Sequence, residues 1–353
     1  MRIVRVLGTL EPGGAQLSAL RLSVALRAHG IATTLLAGDA TPAGLELADR
    51  HGLATEVFRV GDSVPAESLQ WTPSPEFADW LEPRLAGAGL VHGHMVGAWW
   101  AAAQSLPPGV PLAASEHNQM SWPARDYSAE ASQAARRVGL FFAHGPAARA
   151  WALRIGLDES RLREGRSSVL GLSSRPRPGL PAGRVTFAGR LRADKGPDVL
   201  IEALTLMQPP PAAYLVGDGP LHGSLTRIVR ARGLDGLVQL PGWSFEPARY
   251  IAGAGVHVVP SREESWSQSA VLGLGLGVPV VGTAVDGLAN TLGDGRGVLV
   301  PPADPAALAA ALTSVLAGDR PDPGPGRAYA RQFTPDAAAA EYAREYRRVA
   351  AGA

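Results

Sequence analysis

The chain has 353 residues, 46% of them apolar and 18% charged, with a formal net charge of +1. That length supports two ordinary domains, and the near-neutral balance excludes a general electrostatic pull toward nucleic acid or a membrane surface. The absence of cysteine excludes disulfides and thiolate metal sites and suits a reducing, cytoplasmic compartment.

The opening MRIVRVLGTL carries arginine inside its apolar stretch and runs straight into EPGGAQ, so it reads as a strand (2–7) and a turn, not as a secretory leader. A helix over 15–30 follows, closed by Gly30. Then come a strand (31–38), a helix closed by Gly52, a strand (54–60), and two strands, GLVHGH and VPLAASEHN, that end in polar loops. A further strand, VGLFFAHG, precedes the helix PAARAWALRIG. This alternation calls for a parallel sheet with helices on both faces. Residues 171–184, GLSSRPRPGLPAGR, lack apolar periodicity and read as a linker.

The rhythm then restarts with strands RVTFAG, AAYLVGDG, GLVQLPG, GVHVVPS, VPVVGTA and RGVLVPP separated by helices. The helix DPAALAAALTSVLAG has Asp304 as its expected N-cap, and the final helix spans about 335–352. The longest apolar run, 270–285, is broken by glycines and Pro279 and makes a poor membrane span. The expected architecture is two doubly wound domains of similar size facing a cleft, with ligand loops at the carboxyl ends of the strands.

Of 33 basic residues, Lys195 is the only lysine. In a chain that has drifted to arginine, a mere surface charge could have been arginine as well. Lys195 stands with Arg190 in AGRLRADKGPDVL, a loop that follows a strand and opens a helix. A helix N-terminus already favours anions, and two cations beside it make a diphosphate pocket; a solvated basic loop is the plainer alternative. In VVPSREESWSQSAV, Ser265, Trp266, Ser267 and Gln268 lead into a helix and offer main-chain N–H groups. Glu264 at the mouth of that turn can accept hydrogen bonds from two sugar hydroxyls. Helix capping is the rival reading, for Glu263 especially. Gly13 and Gly14 let the backbone approach a ligand closely.

His117 and Asn118 follow a strand, with Glu116 placed to orient the histidine. His92 and His94 share a strand end but lack the third ligand and the carboxylate that a metal site needs. Trp99, Trp100, Met120, Trp122 and Tyr127 make the amino-terminal wall aromatic, and Trp99 reads as core. No Asp-x-Asp pair, Walker-type loop or Gly-x-Ser-x-Gly elbow is present, and GDGPLHG misses the dinucleotide pattern by one position.

Taken together, AGRLRADKG, YLVGDGPL, VQLPGW, VVPSREESWSQSAVLGLGLGVPVVGTAVDG and GVLVPPADPAAL resemble, in order and spacing, the retaining nucleotide-sugar glycosyltransferases of family 4, which have the GT-B fold. EPGGAQ, VHGH and SEHN resemble the family's glycine loop and two histidine segments. The resemblance implies two Rossmann-like domains: 1–172, with the last helix (about 335–353) crossing back to it, and 183–334, which binds the donor. It implies a metal-independent transfer of a sugar from a nucleotide diphosphate sugar to an acceptor hydroxyl.

Arg190 and Lys195 resemble the pair that holds the donor diphosphate, Glu264 the first glutamate of the Glu-x7-Glu motif, and His117 the histidine near the reacting sugar. Ser265, Trp266, Ser267, Gln268, Gly242, Gly13 and Gly14 fall on the donor side by the same match; His94, Asn118 and Trp122 fall on the acceptor side. The expected partners are the donor and a small-molecule or glycan acceptor, with no nucleic acid, no metal and at most peripheral membrane contact. One departure stands out: the second glutamate of the motif, which usually holds the ribose, is Leu272. Either another group or water holds the ribose, or the donor carries a 2′-deoxyribose, or the chain is a non-catalytic partner. A nucleotide-sugar epimerase of the same fold is the alternative enzyme, with Glu11 and Glu116 as its amino-terminal carboxylates.

Overall fold

A computed structural model describes residues 1–65, 67–117 and 126–352. The chain divides into two compact units, Met1–Ser168 with Pro335–Ala353, and Val169–Thr334.

The first unit is built on seven parallel strands: β1 (Arg2–Leu10), β2 (Ala32–Ala40), β3 (Thr55–Val60), β4 (Leu90–His94), β5 (Leu112–Glu116), β6 (Val138–Ala143) and β7 (Leu162–Glu164), in the order β3-β2-β1-β4-β5-β6-β7. From Ile3 to Leu10 every residue of β1 is buried, as expected for a central parallel strand covered on both faces. Alternation along the strands sorts the side chains between two cores. Val4, Val6, Phe77, Trp99, Phe141 and Trp151 fill one face, and Trp99 is indeed core. Ile3, Leu22, Leu26, Phe142, Tyr342 and Tyr346 fill the other.

The last two belong to the terminal helix, Pro335–Ala351, which returns to the first unit as expected. Tyr342 stacks on Phe142 with centroids 4.0 Å apart. The β1–β4–β5 register also sets Arg5 beside His92 and His94 beside Ser115. Four polar side chains are thereby brought together inside an otherwise apolar face.

The second unit has six parallel strands: β8 (Val185–Ala188), β9 (Ala213–Val216), β10 (Val238–Gly242), β11 (Val256–Val259), β12 (Val280–Thr283) and β13 (Val298–Val300), in the order β10-β9-β8-β11-β12-β13. The charge-free helix Gln268–Leu276 lacks charge because Ala270 through Leu274 are buried. Its glycines admit close packing: a Cβ on Gly273 would lie 2.8 Å from Val280, and one on Gly275 would lie 2.4 Å from Leu172. Asp304 caps Pro305–Leu316 by accepting from the Ala307 N–H at 2.9 Å, as predicted.

The stretch 171–184 contains no helix or strand and belongs to the second unit. It is not a loose tether: Arg184, 2% exposed, donates to the carbonyls of Tyr250, Ala252 and Gly253.

Truncating Tyr342 to alanine removes a fully buried ring and is expected to lower the stability of the first unit by about 3–5 kcal/mol. Urea unfolding followed separately in the two units checks this. A loss shared equally by both units would show that the terminal helix is not specific to the first.

Candidate active site

In the second unit five loops follow the carboxyl ends of neighbouring strands, and each is hydrogen-bonded to the next in strand order. Gly217 N–H donates to Gly242 O, joining the β9 and β10 loops. Leu191 N–H donates to Asp218 O and Leu221 N–H to Leu191 O, joining the β8 and β9 loops. Arg262 N–H donates to Asp194 O at 2.8 Å, joining β8 to β11. Gly287 N–H donates to Glu264 O at 2.9 Å, joining β11 to β12. Two glycines make these approaches sterically allowed. A Cβ on Gly196, whose φ is +61°, would sit 2.1 Å from Pro260 O; one on Gly287 would sit 2.1 Å from Ser265 O.

This wall brings the lone lysine to the first motif glutamate. Lys195 Nζ lies 2.9 Å from Glu264 Oε2, which also accepts from Ser261 Oγ at 3.2 Å. Both side chains are mostly buried, 21% and 11% exposed, so the pair is shielded from screening. Glu263 is exposed, which separates the roles of the adjacent glutamates. Arg190 is exposed on the same loop as Lys195.

Behind the pair, Arg262 grips Asp198 with both nitrogens, at 2.9 and 2.6 Å, and donates to Ala193 O. The hydrogen bond to Arg262 holds the Asp198 carboxyl below its usual range, and the same bond raises Arg262. Sequence reasoning passed over Arg262, Asp198 and Ser261. Only their clustering beside the expected site residues could have signalled them, because the partners are 64 residues apart.

Ser267 is the N-cap of Gln268–Leu276, its Oγ accepting from Ala270 N–H. The helix therefore starts at Gln268 with a capping serine. Trp266 turns its ring toward Phe333, centroids 4.8 Å apart. Gly242 ends β10 with φ +79°. Leu272 is 6% exposed in an apolar cluster with Val169, Ala248, Ile251 and Leu274.

In the first unit Gly13 is the extended N-cap of the helix Gly14–Ala25, and a Cβ there would lie 2.5 Å from Gln16 Oε1. His94 and His117 belong to a stack of imidazoles along the carboxyl ends of β4, β5 and β6. His92 and His94 stack at 4.2 Å, His94 and His117 at 5.8 Å, and His117 and His144 at 3.6 Å. Glu116 is buried and accepts from the main-chain N–H of His117 at 3.1 Å, so it fixes the turn. His117 Nε2 is out of solvent and has no partner among the described residues. Asn118, Met120 and Trp122 lie outside the described residues. Among the described residues no group of three or more His, Asp or Glu side chains is arranged to hold a metal ion.

A family model described as "Glycosyl transferases group 1" matches residues 182–318, and one described as "Glycosyltransferase Family 4" matches residues 12–164. Between them they run over most of the chain, which belongs to the group 1, family 4 glycosyltransferases. It is 38% identical over 180 residues to the D-inositol 3-phosphate glycosyltransferase of Xylanimonas cellulosilytica, covering 47% of this chain and 43% of that protein. It is 37% identical over 170 residues to the protein of that name from a Nocardioides species, covering 42% and 37%. The matched stretches thus span less than half the length of these curated relatives.

Among solved structures, sucrose-phosphate synthase from Thermosynechococcus elongatus has a TM-score of 0.81 at 22% identity, covering 100% of both chains. Anabaena HepE in complex with UDP and glucose has a TM-score of 0.80 at 21% identity, covering 99% of this chain and 100% of that one. These likenesses establish the GT-B fold.

Burial holds all four stacked histidines neutral: His117 is lowered to about 3, and His92, His94 and His144 fall well below the ordinary imidazole value. The unfolded chain regains an ordinary value near 6.5, so as pH falls it takes up protons that the folded state refuses. The stabilisation from neutral burial is therefore complete above about pH 6.5 and is lost as pH falls toward the folded values, by about 1.4 kcal/mol per pH unit for each histidine. Urea midpoints between pH 7 and pH 4 should drop, with uptake of more than one proton on unfolding. A midpoint independent of pH over that range would mean that the stacked histidines take up protons in the folded state as readily as in the unfolded chain.

Proposed function

We propose that the chain transfers a sugar from a nucleotide diphosphate sugar to an acceptor hydroxyl, with retention of anomeric configuration and without a divalent metal. The observation that carries this reading is the Lys195–Glu264 pair, framed by Arg262 and Asp198. A lysine paired with a glutamate is an anion site already closed on itself. A donor diphosphate competes for the ammonium, drawing Lys195 and Arg190 onto its oxygens. Glu264 is then free to accept hydrogen bonds from the hydroxyls of the sugar.

The difficult step is separating a cationic sugar from a departing diphosphate. The anomeric carbon–oxygen bond breaks with its electron pair passing to the phosphate oxygen, and the acceptor oxygen bonds to the anomeric carbon on the same face. The acceptor proton passes to that phosphate oxygen, so no separate base is required. Arg190, Lys195 and the main-chain N–H groups around Ser265–Gln268 supply the preorganised positive field for the leaving group. Glu264 holds the sugar in its reactive orientation. His117 meets the reacting sugar as a neutral imidazole, because burial disfavours its cation. The two relatives are named for D-inositol 3-phosphate, which makes that polyol the first acceptor to try. Among the described residues no helix is long and apolar enough to cross a membrane; a cytoplasmic setting rests on the cysteine-free composition.

Leu272, packed into an apolar cluster, leaves the motif without its second carboxylate, and this absence supports an altered nucleotide subsite. The same residue favours the second reading, a non-catalytic partner of an active transferase.

Purified protein supplied with UDP- and dTDP-sugars and inositol 3-phosphate should release nucleotide diphosphate. Lys195→Met should lower turnover by about a hundredfold or more, as removal of a transition-state charge contact does. Silence with every donor would favour the partner reading.

A carboxylate–hydroxyl bond is worth about 1.5–3 kcal/mol, so its absence should leave UDP and dTDP affinities within about tenfold of each other by calorimetry. A preference for UDP of more than about a hundredfold would show that another group reads the ribose.

A further inference from the structure

We infer that Arg5 is a positioning residue for His117: with Tyr346 of the terminal helix it dictates which nitrogens of the imidazole stack carry protons. The inference rests on the proposed role of His117 beside the reacting sugar. Arg5 lies in the middle of β1 and is fully buried. Its hydrogen-bond partners are neutral: Nη1 is 2.6 Å from His94 Nε2 and 3.3 Å from His92 Nδ1, and Nη2 is 3.4 Å from the Tyr346 hydroxyl.

A guanidinium has five donors, no acceptor and no accessible neutral form. Each ring nitrogen facing it must therefore present a lone pair. His94 Nε2 is such an acceptor, and its proton sits on Nδ1. His92 Nδ1 faces both Arg5 and the Tyr346 hydroxyl, 2.5 Å away, so its proton sits on Nε2, 2.7 Å from Ser115 Oγ. One buried cation thus sets two tautomers and excludes a second cation from the rings stacked beyond it.

His117 stacks with His94 and with His144; His144 Nδ1 faces Ser167 Oγ at 3.2 Å and His144 Nε2 faces the Tyr342 hydroxyl at 3.4 Å. Among the described residues, the titratable and charged groups around this stack are Arg5 on β1, His92 and His94 on β4, Glu116 on β5, His144 after β6, and Tyr342 and Tyr346 on the terminal helix. Among the described residues of this set, Arg5 alone brings a fixed positive charge. A chain lacking it would keep the rings buried but lose the constraint on their protons.

Nitrogen-detected NMR of the histidine rings tests this directly in the full chain. Native protein should show His94 protonated at Nδ1 and His92 at Nε2. Arg5→Met keeps an unbranched apolar stem, shorter by the guanidinium end, and removes the charge. It should shift His94 toward the Nε2-protonated form and raise the protonation midpoint of His117 by about one pH unit. The acid limb of kcat for UDP-glucose hydrolysis should move to higher pH with it, while KM for UDP-glucose changes by less than about threefold, the donor being held elsewhere. Arg5→Lys should restore the acid limb in part.

Unchanged tautomers and an unchanged midpoint in folded Arg5→Met would overturn the proposal. If that variant does not fold, Tyr346→Phe keeps the ring and removes the hydroxyl; it should redistribute the His92 proton, and an unaltered His92 would count equally against the inference. Native protein unable to hydrolyse UDP-glucose would count against the transfer reading with this donor, and the ring spectra would still decide the role of Arg5.

Discussion

Lys195 and Glu264 lie 69 residues apart in the chain and 2.9 Å apart in space because β8 and β11 are neighbours in a parallel sheet. The rest of the donor side depends on that adjacency. Parallel strands all end at the same edge, so the loops that follow them are side by side and can bond to one another. In that row the β11 loop has β8 on one side and β12 on the other. It therefore bonds to both neighbours, through Arg262 N–H to Asp194 O and Gly287 N–H to Glu264 O. A loop whose main chain is held from both sides loses little freedom when a ligand arrives, which is what a preorganised site requires.

The two units handle charge in opposite ways. In the second, cations meet carboxylates: Lys195 with Glu264, and Arg262 with Asp198. Such pairs tolerate partial burial because each charge has its complement. In the first, a guanidinium is buried against two imidazoles and a phenol. There the compensation comes from lone pairs of neutral rings, and those rings are held neutral by desolvation and by the guanidinium itself. The terminal helix contributes Tyr342 and Tyr346 to this arrangement. Its return to the first unit therefore completes a polar interior as well as an apolar one.

Much of this was legible in the chain. The alternation of short β-rich runs with helices gave the doubly wound class, because a buried parallel strand and an amphipathic helix leave different periodicities. Gly30 and Asp304 marked helix ends through local chemistry that acts within one turn, and both stand where expected. Helix Gln268–Leu276 was recognisable as buried by its missing charges. Strand β7, three residues long, left no pattern to read. In the sequence Arg5 is only a polar interruption of an apolar run. A single charge in an apolar run shows that something must compensate it and nothing about what does.

By itself the sequence determined the class of fold, the loops that carry polar chemistry and the singular status of Lys195, since these depend on residue type and spacing along one chain. Only the tertiary structure decided that Lys195 meets Glu264, that Arg262 clamps Asp198, that Leu272 faces an apolar cluster and that Arg5 meets His92, His94 and Tyr346. Those contacts join residues far apart in the chain. Which pairs meet is set by the order of strands in each sheet, and strand order is a property of the packed whole.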